Sequence, residues 1–174
     1  MTRAVWALSA VLVVITGIAP VTGHAADGAP PVSVAVLNFE LVDTSLEGAS
    51  YGADDAEARR LVLISDLLRE LLAQSGQYRI VDIAPAKEKI ADAGLIHRCN
   101  GCEIAIAGFL EAERVMTGTI HKVSTLILGI HMTESDVATG KALRVVAAQI
   151  RGNTDKSWTR GLRWLVRNRL LAKS

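Results

Sequence analysis

The sequence lacks the common short motifs of nucleophilic, zinc-hydrolase and nucleotide-binding centres. Gly-x-Ser-x-Gly, His-Glu-x-x-His and a glycine-rich phosphate loop are all missing, which removes the usual nucleophile, zinc-hydrolase and nucleotide signatures. Asp43, Asp54, Asp55 and Asp136 do not have the spacing of an EF-hand loop, so they read as solvated loop acids rather than calcium ligands. Cysteine is scarce: there are two in 174 residues, and neither lies near the N-terminal apolar run. A lipid-anchored lipoprotein is therefore not expected. There is no internal repeat and no low-complexity tract. Charge of one sign is also absent overall. The whole chain carries +1, and loss of Arg3 leaves 18 basic against 18 acidic residues. Nothing in that balance points to nucleic acid.

What is present begins with an address. Arg3 precedes an apolar run from Ala4 to Val21, broken by Gly17 and Pro20 and followed by Gly23-His24-Ala25. A positive start, a short apolar core and a small-residue exit make a Sec-type signal peptide over residues 1–25, cleaved after Ala25. The chain is then expected to be exported to the periplasm, with no stable membrane anchor after cleavage. Residues 26–31 read as a flexible tether, and residues 32–174 as a single α/β domain.

Along that domain, Val32 to Phe39 reads as a strand apolar on both faces. Residues 41–54 read as a loop, long enough to be functional. Leu61, Ile64, Leu67, Leu68, Leu71 and Leu72 recur at helical spacing between Asp55 and Gln74, with an aspartate to cap and Gly76 to stop. Tyr78 to Ile83 is a second strand, so strand, helix and strand form a parallel crossover. Pro85 opens a short helix ending at Gly94. A helix follows from Glu103 to Glu113. Strands at 115–123, 126–132 and 142–150 make an antiparallel meander, with Leu126, Leu128, Ile130 and Met132 on one face. A last helix runs from about Lys156 to Leu171. The order β-α-β-α-α-β-β-β-α predicts a three-layer-like α/β sandwich around a mixed sheet, parallel crossover first and antiparallel meander last.

Four features bear on function. Cys99 and Cys102 flank a tight loop before a helix. In an oxidising compartment they should pair, and a loop this small gains little chain-entropy stabilisation. A redox dithiol is the alternative, since a helix N-terminus favours a thiolate. A metal site recruiting His97 is a third reading, with no fourth ligand visible. Haem attachment is excluded because Glu103, not His, follows Cys102. The second feature is the last helix. Trp158, Leu162, Leu165 and Val166 fall on one stripe, and Arg160, Arg163 and Arg167 on the opposite one, flanked by Trp164. The plain reading is a helix packed through Trp158 with its arginines in water. The sharper one makes Arg160, Arg163, Trp164 and Arg167 a partner-binding edge. Third, residues 40–57 carry six acids and no base, while residues 151–174 carry seven bases against Asp155 alone. Those two segments could face each other or simply sit in water; the sharper reading makes the basic one a docking face. Fourth, if Ser124-Thr125 is a two-residue turn, His121 opposes Leu128, and His121 and His131 point to opposite faces, unable to share a metal.

Several segments carry a resemblance: Val34-Ala-Val-Leu-Asn-Phe39, Tyr78-Arg-Ile-Val-Asp82, the cysteine pair, Arg114-Val-Met-Thr-Gly118 and Ile150-Arg-Gly-Asn-Thr-Asp155-Lys-Ser-Trp158. Across nearly the whole domain the chain resembles a family of small exported proteobacterial proteins of unknown function. Through the Val34–Phe39 and Tyr78–Asp82 strands and Ala112-Glu-Arg-Val-Met-Thr-Gly118 it is also similar to the amino-terminal domain of TolB and the periplasmic domains of CsgG and LpoB. That likeness implies a non-catalytic envelope module that binds other proteins. It departs from CsgG and LpoB in having no lipobox cysteine, and from TolB in having no propeller. The expectation is a periplasmic adaptor with no cofactor and no metal, working on an envelope protein partner. A thiol-disulfide oxidoreductase using Cys99 and Cys102, or a small-ligand or metal binder, stands as the alternative.

Overall fold

The computed structural model describes residues 30–52 and 54–172. The expected signal peptide and most of the tether lie outside them. A six-stranded mixed sheet forms the middle layer, in the order β3-β1-β4-β5-β6, with β2 also beside β4. Its strands are β1 (Val32–Val36), β2 (Glu40–Asp43), β3 (Tyr78–Val81), β4 (Arg114–Lys122), β5 (Ile127–Asp136) and β6 (Ala142–Arg151). The helices are α1 (Leu46–Tyr51), α2 (Asp55–Gln74), α3 (Lys87–Ala93), α4 (Cys102–Phe109) and α5 (Asp155–Leu165), the last continuing as a π-helical turn over Val166–Leu170. Helices α2 and α5 cover one face of the sheet. On the other, α3 and α4 cover only the part around β1 and the start of β4.

The doubly apolar β1 follows from its place. It lies between β3 and β4, parallel to both. Val34 and Val36 face the α2/α5 core, while Ala35 and Leu37 face the α3/α4 core. Helix α2 begins where its cap allows: Asp54 Oδ1 accepts from the Ala56 N–H at 2.8 Å. It buries Ile64, Leu67, Leu68 and Leu72 against the sheet, each contributing roughly 1.5–3 kcal/mol of apolar transfer. The turn after it uses Gly76 at φ 69°, a conformation that costs glycine nothing.

Four expectations need correction. Residues 41–54 are not a loop. They form β2, paired in parallel with Thr119–Lys122 of β4, and then α1, capped by Ser45. Only four residues long, β2 has no periodicity to read, and its partner is far away in sequence. Second, β1 stops at Val36; the Leu37 N–H still donates to Met116 O at 3.0 Å, and residues 38–39 step out of the ladder before β2 rejoins β4. The step is held by α2, where Ser65 Oγ accepts from the Phe39 N–H at 2.9 Å and Arg69 donates to Val36 O at 2.9 Å. It drops Phe39 over Gly118, where a Cβ would lie 2.3 Å from the ring. Third, α4 ends at Phe109 rather than Glu113, because the chain turns into β4 through Glu111 at φ 55°.

Fourth, the β4–β5 hairpin is one residue out of the expected register. Lys122 opposes Leu128, and His121 opposes Gly129. The connection is longer than two residues: Val123 donates to Ile127 O at 3.1 Å, and Ser124 Oγ takes up the N–H groups of Leu126 and Ile127. Leu126 is accordingly 70 % exposed and leaves the core face to Leu128, Ile130 and Met132. A one-residue shift changes the facing of one strand relative to the other. His121 and His131 therefore share a face of the sheet, the one without α2 and α5.

Candidate functional site

Helix α5 starts with a full capping box, in which the Ser157 N–H donates to Thr154 Oγ1 and the Thr154 N–H to Ser157 Oγ. Its apolar stripe is as read from the sequence: Trp158, Leu162, Leu165 and Val166 are all buried. What lets the helix lie close to β6 is Gly161, since a Cβ there would fall 2.2 Å from Ile150 Cγ2. The outer side of α5 then stands beside the edge of β6, and the two enclose a groove of about 710 Å³. Arg160, Arg163, Trp164 and Arg167 line one wall, and Gln149 and Arg151 line the strand side. The four residues singled out on helical spacing thus converge on one concavity. Trp164 is 43 % exposed, with the Arg169 guanidinium 5.8 Å from its ring centroid. No acid lines the groove. Among the described residues, no carboxylate lies within ion-pair distance of Arg151, Arg160, Arg163 or Arg167. The strand side of this groove was not legible in the sequence, because only the topology makes β6 an edge.

The six acids of residues 40–57 do not face this groove as a block. Asp43, Glu47 and Glu57 surround the Lys122 ammonium at 3.3, 3.4 and 2.6 Å. Lys122 and Glu57 are both buried, and Asn153 also donates to Glu57. Burial by itself would lower the Lys122 pKa, but its hydrogen bond to Glu57 and the neighbouring carboxylates raise it above the usual lysine range. Burial likewise pushes Asp43 up, and hydrogen bonds from Ser45 together with Lys122 bring it net below the ordinary carboxylate value. Asp54 caps α2, and Arg60 reaches Asp155 at 2.8 Å. Lys122 was not singled out from the sequence. It occupies the last position of a strand, and nothing local marks it as buried.

The structure joins Cys99 to Cys102. Cys102 is the first residue of α4, after Gly101 at φ 88°. Around Cys99 the surroundings are electronegative: its Sγ lies 3.1 Å from Ile96 O and 3.7 Å from Glu103 Oε2. A thiolate there would meet a carbonyl and a carboxylate, the reverse of the setting that activates a cysteine. Cys99, Cys102 and Glu103 are the one group of three or more His, Cys, Asp or Glu among the described residues whose ligand atoms come within 4.8 Å of one another. Sulfurs bonded to each other offer no thiolate to a metal.

His97 is engaged elsewhere. Its Nδ1 is 2.7 Å from Glu40 Oε2, and Glu40 also accepts the N–H groups of Ile96 and His97 at 2.7 and 2.8 Å. His97, Cys99, Glu103 and His131 line a shallow cavity of about 300 Å³ that continues over Thr117, Thr119 and Thr133. His121 Nε2 is 3.0 Å from Thr44 Oγ1. The Glu40–His97 pair joins residues far apart in sequence, and no spacing in the chain signals it.

No helix among the described residues is long and apolar enough to cross a membrane. The fold is similar to that of solved structures. The LpoB C-terminal domain from Escherichia coli has a TM-score of 0.50 at 17 % identity, covering 72 % of this chain and 87 % of that one. A PelC dodecamer from Paraburkholderia phytofirmans has a TM-score of 0.49 at 13 % identity, with 79 % and 87 % covered. TolB from Acinetobacter baumannii has a TM-score of 0.38 at 11 % identity, with 74 % of this chain and 25 % of TolB covered. No curated protein matches the chain in sequence. A sequence profile does match over residues 32–170, and the chain belongs to that family, described as "Protein of unknown function (DUF2380)".

Proposed function

We propose that this protein is a non-catalytic periplasmic adaptor that works by contact with another envelope protein, through the groove between α5 and β6. One observation carries the reading. The groove of about 710 Å³ is basic, contains a half-exposed tryptophan, and holds no acid among its lining residues to neutralise its arginines. Tryptophan and arginine are the residues most enriched where binding energy concentrates. Charged walls of one sign also steer an oppositely charged partner toward the site. The fold shared with the LpoB C-terminal domain is compatible with this reading.

The Cys99–Cys102 bridge, in this reading, shapes the turn into α4 and takes no part in exchange. The carbonyl and carboxylate beside Cys99 support that role. Export rests on the signal peptide read from residues 1–25, and N-terminal sequencing of the protein from a periplasmic fraction should begin at Ala26.

The groove is tested by photo-crosslinking from position 164 in intact cells, followed by recovery of the adduct. One discrete adduct is expected, lost when Arg160, Arg163 and Arg167 are changed to Glu. Unchanged adducts in the triple variant would remove this site from consideration.

A further inference from the structure

We infer that the groove takes its partner by strand addition: an extended segment of another protein, alternating acidic and apolar side chains, pairs with the free edge of β6. The inference rests on the reading of the groove as the contact site and specifies the form of what enters it.

The backbone supplies the first argument. Strand β6 pairs only with β5 among the described residues, so its other edge is open over ten residues. In an antiparallel ladder, residues alternate between those bonding to the partner strand and those pointing both N–H and C=O away from it. The Gly152 N–H donates to Leu126 O at 3.1 Å, and this sets the phase, because Gly152 continues the register that pairs Ile150 with Leu128. The even-numbered residues from Arg144 to Ile150 therefore bond inward to β5. The backbone groups of Val145, Ala147, Gln149 and Arg151 point outward, and the row ends at the register shift beside Glu134 and Ser135. The hairpin on the other side of β5 gives the same phase: Val123 donates to Ile127 O, so β5 turns its odd residues to β4 and its even residues to β6. An edge with such a row of unmet donors and acceptors is a template for another strand.

Side chains on the two sides of that edge specify the incoming sequence. Above the edge on the α5 side stand Arg160, Arg163 and Arg167 beside Trp164. On the other side, Val145 is 69 % exposed, and Ala147 is exposed beside it. Successive residues of an added strand point alternately to these two sides. Acids at every second position would meet the arginines, and apolar residues between them would cover Val145 and Ala147, as cross-strand neighbours do. A second copy fits less well. Antiparallel pairing of two β6 edges would bring the arginines of both α5 helices to one side of the joint, with no acid in either groove.

The phase makes the test sharp, because proline at an odd position of β6 removes an outward N–H and no internal bond. The probe is a labelled ten-residue peptide alternating Glu and Val, measured by fluorescence anisotropy against the full mature chain. Saturable binding is expected. Ala147→Pro should weaken it at least tenfold while leaving the circular dichroism spectrum unchanged, whereas Ala148→Pro should disrupt the sheet. A peptide N-methylated on the residues that face β6 should lose at least tenfold against the unaltered protein, which keeps the test independent of any variant's folding. Arg160, Arg163 and Arg167 changed together to Glu should lose binding of the Glu–Val peptide and gain that of a Lys–Val one. No binding of the Glu–Val peptide, or equal binding of its N-methylated form, overturns the inference. So does self-association in sedimentation equilibrium that Ala147→Pro abolishes, which would make the occupant a second copy. If the crosslinked adduct at position 164 depends on the arginines yet is unaffected by Ala147→Pro, strand addition fails while the groove stands as the contact site.

Discussion

The two faces of the sheet have opposite surroundings, although the same strands build both. Toward α2 and α5, Met116, Ile120, Leu128, Ile130, Met132 and Ile150 are sealed in one continuous core. Even the charges on that side, Lys122, Glu57 and Glu134, are buried and paired. On the other face the intervening residues of β4 and β5 are Thr117, Thr119, His121, Gly129, His131 and Thr133, and the odd residues of β6 are exposed. Helices α3 and α4 cover only the region of Ala35, Leu37 and Val115. The difference teaches where stability is concentrated. A strand residue's parity, more than its place along the chain, sets how much a substitution costs.

The largest effect should come from a buried charge on the sealed face. Lys122→Met leaves Glu57 without its cation in a dry environment, and should cost about 3–5 kcal/mol, read from the urea midpoint at constant m. The same cluster should respond to acid. Asp43 titrates below its unfolded value, so its contribution is present above about pH 4 and is lost as pH falls through the lowered pKa. At the other extreme, burial and the neighbouring Glu134 carboxylate push the Tyr78 phenol up to about 12. The stability this represents is complete below the unfolded tyrosine value near pH 10, and is lost as pH rises from there through 12. Ultraviolet titration should show one tyrosine ionising late.

Close approach on the sealed face comes next. Gly118→Ala would place a methyl within the Phe39 ring, and Gly161→Ala would place one against Ile150. Each should cost about 1–3 kcal/mol, the usual penalty of overpacking. Gly161→Ala should also lift α5 from β6 and weaken peptide binding in the groove, which Gly118→Ala should not. If the two variants behave alike in binding, the groove does not depend on that contact.

Smaller still is the bridge under the half-covered face. The loop from Cys99 to Cys102 is so short that its reduction should cost at most about 2 kcal/mol, measured as the shift in urea midpoint with and without a dithiol. A larger loss would mean that α4 depends on the bridge for more than its first turn. The least effect belongs to the open face, where His131→Ala or Thr133→Ala should stay within about 0.5 kcal/mol. A cost comparable to Gly118→Ala would show that this face is covered in solution, and the comparison between the faces would collapse.

How much of this was legible follows from the range of the interactions involved. Helix α2 was readable to its ends because its apolar period, its aspartate cap and its glycine stop are all local. The α5 stripe and its arginines were readable for the same reason. The hairpin register was not: four residues between Lys122 and Ile127 make a two-residue turn and a longer connection hard to distinguish, and one step decides which face His131 shares with His121. Strand β2 was missed because its half-buried residues acquire meaning only beside Thr119–Lys122 of β4.

By itself, then, the sequence determined the layered α/β class, the crossover and meander, the apolar stripe of α5 and the candidate arginine edge, since each rests on periodicity or capping within a single element. Only the tertiary structure decided that β6 is an edge, that Lys122 holds Asp43, Glu47 and Glu57, and that Glu40 receives His97. It also decided that the arginines of α5 line a groove with that edge strand. Those facts depend on which strands become neighbours, and neighbours across a sheet are chosen by packing over long sequence distances, for which a single chain's pattern carries no signal.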